Sequence, residues 1–248
     1  MNKLNKSPMS YNSSYISPKC KIGTNVLIGS NSFIYGDVII EDNCIVENNV
    51  IIGHPSLDDF KIIDKSKNVD LNELYDSISK HKVSIGKNSI IRSNSIIYSG
   101  SIIGDNFDCG HGVVIRENCV FGNDVYVFVN TEFKREVRVG NGCRLAGTIC
   151  DRTIIGLFSS VYGHTVHKYN IGFGGYIEDA PTIGNGVVVG REAIIIGGIT
   201  INDFTLISSN SVVIKSTKKF GLYSGNPAKF MKNRKKEEYQ QLLHKINV

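Results

Sequence analysis

Tryptophan is absent from this sequence, and proline occurs only five times in 248 residues. Against that scarcity stand 25 glycines, a balance that suits a chain with many corners and few helices. No stretch of eighteen apolar residues occurs, which excludes a membrane-spanning helix, and the opening MNKLNKSPMS has no apolar signal-peptide core. The chain is therefore expected to be cytoplasmic and without membrane insertion. No CxxC spacing exists among the six cysteines, which argues against structural zinc.

Charge is uneven. Between Phe204 and Lys236 lie eight basic residues, among them Lys215, Lys218, Lys219 and Lys229, and no acidic one. The rest of the chain carries 20 of the 28 basic residues against all 23 acidic ones. A basic end on a slightly acidic body suits a local anionic partner or a solvated tail better than general nucleic-acid binding.

What the chain does have is a period of six. From Ile85, every sixth residue through Ile91, Ile97, Ile103, Cys109, Ile115, Phe121 and onward to Leu145 is apolar. The position four further on is mostly small or β-branched, as at Ser89, Ser95, Val113, Cys119 and Thr131. Gly, Asn and Asp fill the slots between, as in Gly104-Asp105-Asn106. No helix has this period, and simple hairpins have no reason to hold it. A chain that turns a corner every sixth residue does, because one large and one small residue then point inward on each side. Three sides close a coil of eighteen residues, and coils stack by parallel strand pairing. Cys20, Cys44, Cys109, Cys119 and Cys143 fall in inward slots and read as core.

The first array runs from Ile22 to Ile52, after a polar lead-in over 1–19. An excursion without hexads follows near 54–82, in which Asp70 to Leu74 reads as an N-cap and short helix. The long array slips between Thr148 and Thr153, where four extra residues enter, and resumes at Ile155. A Gly-rich loop spans about 167–181, and a last array runs from Ile183 to Val213. The fold expected is all-β, a parallel β-helix of about eight coils, about 40 Å long at ~4.8 Å per coil. From Ala228 onward Phe230, Met231, Tyr239, Leu242, Leu243 and Ile246 alternate with charges at helical spacing, so residues 1–226 are expected to form the β-helix and 227–248 a helical cap.

The repeat, the segment PTIGNGVVVGREAIIIGGITINDFTLISSNSVV (181–213) and YSGNPAKF (223–230) resemble the left-handed β-helix acyltransferases. The middle, from IGHPS (52–56) to CGHGVVIREN (109–118), resembles the N-acetyltransferases of nucleotide-linked amino sugars in surface-polysaccharide pathways. The resemblance implies a homotrimer of parallel prisms with small-molecule substrates, acetyl-CoA and a nucleotide-linked amino sugar, meeting in grooves between subunits. Two stretches depart from that pattern: 128–153 is more charged, and GHTVHKY (163–169) carries two histidines.

N-acyl transfer needs an amine, a group to take its proton, and donors for the thioester oxyanion, but no covalent nucleophile if amine and thioester meet directly. His111 occupies an outward corner slot between two glycines and is the first candidate base. Eighteen residues on, Asn130 and Glu132 share its face and can orient it or bind the amine; Glu117 lies on the next face of the same coil. His164 and His167 compete with His111 as base or acceptor ligands, and His54 opens the first excursion. For the donor, backbone near Gly190, Ala193 and Gly198 would meet the pantetheine arm, with Lys215, Lys218, Lys219 and Lys229 on the CoA phosphates. No metal is expected. The alternatives are sugar O-acetyl transfer, an acyl-carrier-protein-dependent acyltransferase, a metal lyase of the γ-carbonic-anhydrase kind, for which a similar fold gathers histidines around zinc, and a β-helix module without catalysis.

Overall fold

The computed structural model describes residues 13–61, 70–168 and 179–246. Short strands follow one another around a triangular prism. The first face is a seven-stranded sheet from Tyr15–Ile16 to Thr148–Ile149, continued by a three-stranded sheet of His164–Val166, Ile194–Ile196 and Val212–Val213. The second face has nine strands, from Lys21–Ile22 to Thr200–Ile201. The third has 11, from Leu27–Ile28 to Lys229–Asn233. Pairing is parallel with an eighteen-residue step, as in Ile97 with Ile115 and Cys109 with Val127. The final pair, Gly221–Ser224 with Lys229–Asn233, is antiparallel.

The expected hexad residues fill the interior. Ile85, Ile91, Ile97, Ile115, Phe133 and Leu145 are fully buried. Phe107, Phe121 and Phe133 stack edge to face at 5.4 and 4.9 Å, each such contact adding about 0.5–1.5 kcal/mol beyond burial. The small inward slots hold serines that feed corner carbonyls, as Ser89 Oγ does to Gly86 at 2.8 Å. Burial pushes the thiols of Cys109 and Cys119 up to about 11 and about 12, so they are protonated and unreactive. Corners between the second and third faces place Asn25, Asn43, Asn88 and Asn106 at positive φ, a conformation Asn tolerates. Their side chains form a ladder of amide bonds at 3.2, 3.3, 3.2 and 2.9 Å, ending on Asp124.

The coils exceed the expected eight. Tyr15–Ile16 already belongs to the first face, because Ile16 is in hexad step with Ile22; the polar lead-in is correspondingly shorter than 1–19. The slip near Thr148 is not an insertion of four residues. It is an additional turn shortened by two: the inward residues run Leu145, Ile149, Ile155, Val161, Thr165, two steps of six between two steps of four. These tight corners break the backbone ladder of the first face, and side chains bridge the gap. His164 Nδ1 accepts the Thr148 amide at 3.1 Å, and Thr165 Oγ1 accepts the Cys150 amide at 2.8 Å.

The excursion forms helices α1 (Leu57–Phe60) and α2 (Leu71–Ile78), the second capped by Asp70 as expected. It is pinned to the first face. Asp76 accepts the Gly36 amide at 2.8 Å, Ser79 Oγ donates to the Gly53 carbonyl at 2.8 Å, and Tyr35 Oη donates to Asn72 at 2.9 Å. Gly36 has φ 75° and would place a Cβ 2.7 Å from the Ser79 carbonyl, so the approach requires glycine. The prism closes beneath this segment without a gap, Val46 pairing with Ile91 and Ile40 with Ile85. The Gly-rich loop expected near 167–181 lies largely outside the described residues. At the far end Phe230 and Met231 sit on the strand Lys229–Asn233, where a helix was expected; helix is confined to a short 3₁₀ turn, Lys236–Glu238, and α3 (Gln240–Ile246). Just before it, Tyr239 packs on the stacked rings of Phe204 and Phe220.

Candidate active site

Two edges border the first face, and each gathers charged side chains. On the edge shared with the third face, His111 projects between Gly110 and Gly112, its backbone fixed by the Asn130 amide donating to its carbonyl at 2.9 Å. One coil below lies Ser93, and one further lies Asn48 with Glu47 beside it, because Val46 pairs with Ile91 and Ile91 with Cys109. One oxygen of Glu47 accepts the Ser93 amide at 3.0 Å and its hydroxyl at 2.9 Å. That same oxygen is 3.6 Å from His111 Nδ1. Arg92 stands 3.5 Å from Glu47 and 3.2 Å from Asp108, closing a charged row over three coils. The Ser93 amide and hydroxyl, with His111 and Arg92 beside them, hold the Glu47 carboxyl below its ordinary range despite some burial. Glu47 is thus anionic at neutral pH. A carboxylate beside Nδ1 favours the tautomer that carries its proton there and leaves the Nε2 lone pair facing solvent. The His111 side chain is 57% exposed, so a substrate can reach that nitrogen.

Of the competing histidines, His164 has both ring nitrogens engaged, while His167 and His54 each commit one nitrogen as a donor. His164 Nδ1 is the acceptor for Thr148, which places its proton on Nε2, 3.3 Å from Glu192. Neutral His164 therefore has no lone pair to spare. His167 Nε2 donates to the Asp151 carbonyl at 3.2 Å. His54 donates from Nδ1 to the Pro55 carbonyl at 2.8 Å and packs against Tyr98, Tyr75 and Phe60. Burial lowers its pKa, so it is neutral at pH 7. Among the described residues no three His, Cys, Asp or Glu side chains are placed to hold a metal ion.

The edge shared with the second face carries Glu117, buried and held in a two-pronged pair by Arg116 at 2.8 and 3.1 Å. Glu117 and His111 flank the same strand, Val114–Ile115, at its opposite ends, so Glu117 does not orient His111. Glu132 lies one coil on, paired with Lys134 on the outer surface of the first face. Arg135 donates its amide to Asp151 at 2.7 Å, with its guanidinium 3.4 Å away. Burial works to raise the Asp151 carboxyl, but the Arg135 hydrogen bonds and charge, with His167, outweigh it and leave it below its ordinary range. Lys61 of the α1 end faces these residues across a cleft of about 450 Å³.

The residues expected to hold the donor are dispersed. Gly190 is on the edge with His111, and Ala193 is an inward, fully buried residue whose carbonyl accepts the His164 amide at 2.7 Å. Gly198 and Lys215 lie on the edge with Glu117, while Lys218 and Lys219 lie on the third edge, where Lys219 pairs with Asp203 at 2.9 Å. Lys229 is on the terminal hairpin, and Lys218 caps the ring of Phe230 from 5.7 Å.

A family model described as bacterial transferase hexapeptide (six repeats) matches residues 13–54. A probable macrolide acetyltransferase of Lysinibacillus sphaericus is 36% identical over 95 residues, covering 34% of this chain and 53% of its own. A chloramphenicol acetyltransferase of Agrobacterium fabrum is 33% identical over 90 residues, covering 36% of this chain and 43% of its own. The chain thus spans about half the length of the curated relatives it matches. Among solved structures, the Arabidopsis UDP-N-acetylglucosamine acyltransferase aligns over 93% of this chain and 75% of that one, with a TM-score of 0.56 at 14% identity, a likeness of fold. In repeat and in fold, this chain resembles the hexapeptide-repeat β-helix acyltransferases.

Proposed function

We propose that this protein transfers an acyl group, acetyl in the first instance, from acyl-CoA to the amino group of a nucleotide-linked amino-deoxy sugar. The observation that carries the reading is the His111–Glu47 pair, placed on an open prism edge with one imidazole nitrogen unengaged by the described residues. The amine nitrogen attacks the thioester carbon and a C–N bond forms. His111 Nε2 takes the amine proton, and the carbon–sulfur bond breaks as that proton passes to the departing thiolate. Glu47 stabilises the imidazolium between those two events. Support for acyl transfer comes from the curated relatives, both named as acetyltransferases. The reading includes a trimer, with acyl-CoA lying along the groove beside the edge that carries Gly190.

A hydroxyl acceptor is the second reading, favoured by the same pair: a hydroxyl needs a base in the bond-forming step more than a free amine does. Thiol release from acetyl-CoA, measured across nucleotide-linked amino sugars and neutral sugars, separates the two. His111→Ala is expected to lower turnover by about 10²–10⁴. Full turnover in that variant refutes the assignment.

A further inference from the structure

The cleft between α1 and the edge that carries Arg116 has no part in the chemistry above, yet it concentrates cations. Lys61, Arg116, Lys134 and Arg135 line it, against the carboxylates of Asp58, Glu117 and Asp151. The four cations are not held alike. Arg116 is fixed: Glu117 grips two of its nitrogens and the Tyr98 ring lies 4.8 Å beneath its guanidinium carbon. Arg135 is held by Asp151 at 2.7 Å through its backbone and at 3.4 Å through its side chain. Among the described residues Lys61 pairs with Asp58, both largely exposed, and Lys134 pairs with Glu132, each about a third exposed. Exposed pairs of this kind open at little cost, so both ammonium groups can turn to a stronger anion.

Spacing points to the anion. Arg116 and Lys134 follow paired residues on adjacent strands and stand one strand apart, about 4.8 Å. That separation suits two linked phosphoryl groups, one taken by the rigid guanidinium and one by the lysine. Lys61 approaches from the other wall, on a segment that is absent from the regular repeat. At the mouth Leu57 is 66% exposed and offers an apolar surface to a nucleoside.

We infer that this cleft binds the diphosphate of the nucleotide-linked acceptor, and that α1 with Lys61 supplies its outer wall. The inference rests on the nucleotide-linked acceptor proposed above. It also sets the acceptor's direction. Arg116 and His111 flank the strand Val114–Ile115, so a sugar held by its diphosphate at one edge extends across the face toward the base at the other, passing Glu132.

The test is calorimetric titration of the full chain with uridine diphosphate, thymidine diphosphate and inorganic pyrophosphate, beside a double variant Lys61→Ala, Lys134→Ala. The dissociation constants of the nucleoside diphosphates are expected to rise at least tenfold in the variant, with acetyl-CoA affinity unchanged and the wild-type affinity falling with salt. Pyrophosphate binding as tightly as the nucleotides, and equally weakened, identifies a site for free diphosphate and overturns the nucleotide assignment. Unchanged nucleotide affinity in a variant with the wild-type melting temperature overturns the site, as does the absence of any binding to the wild type. Acyl transfer to a nucleotide sugar with an unaltered KM in the variant refutes the cleft and leaves the proposed function standing; transfer only to neutral, nucleotide-free acceptors refutes that function.

Discussion

Replacing Glu47 by Gln removes one charge and almost nothing else. The amide oxygen still accepts from the Ser93 amide and hydroxyl, so the corner keeps its shape. What disappears is the attraction between carboxylate and imidazolium across 3.6 Å, along with the Arg92 pair at 3.5 Å, which is present whether or not His111 is charged and so does not enter kcat. With the dielectric of water that attraction is about 1 kcal/mol, and the screened figure is the appropriate one because the two side chains are 57% and 29% exposed. A loss of that size lowers kcat about five- to tenfold, since only the charged intermediate form of His111 feels it. Steady-state thiol release at neutral pH and low salt reads the effect, with KM for acyl-CoA unchanged. High salt is expected to shrink the difference. The decisive comparison is a double-mutant cycle: in a His111→Ala background the Glu47→Gln change is expected to have no further effect. If it still costs fivefold there, Glu47 acts on something other than His111 and the reasoning fails.

Thr165→Val removes the acceptor for the buried Cys150 amide and a partner of Thr153, and is expected to cost about 1–3 kcal/mol in chemical denaturation while preserving volume. Asp151 has a lowered folded-state pKa, so the stability it contributes is present above its unfolded value near 4 and is lost as pH falls through the lower folded value. Asp151→Asn is therefore expected to flatten the fall in melting temperature below about pH 4; an acid limb as steep as that of the wild type refutes this.

The prism was open to reading because each side of a coil buries one large residue at a fixed step, and Ile85 to Leu145 keep that step without interruption. His111 was legible for the same reason, as an outward residue at a corner. Its partner was not. Glu47 lies two coils below His111, but the excursion stretches the usual eighteen residues between paired strands to 45 between Val46 and Ile91. Counting turns instead of residues brings Glu47 to within one position of His111, since the strands of Val46, Ile91 and Cys109 all belong to the third face and Asn48 is the residue in step with Ser93 and His111. Spacing put Glu117 on the next face of the coil from His111; the geometry has the two flanking one strand, with Glu117 holding Arg116. The roles of His164 and Thr165 were hidden because corners two residues short interrupt a ladder that a periodic pattern assumes to be continuous. The strand of Phe230 and Met231 was mistaken for helix because apolar residues alternating with lysines near a helix-forming tail fit either period.

Because the winding closes directly under the excursion, with Val38 to Ile40 seated on Val83 to Ile85, that segment is an appendage to a scaffold that does not need it for registry. On the function proposed here, swapping it for the corresponding piece of another such protein is expected to leave acyl-CoA binding untouched while changing the acceptor taken. Acceptor preference would then be a detachable trait, inherited or engineered separately from the edge that carries His111.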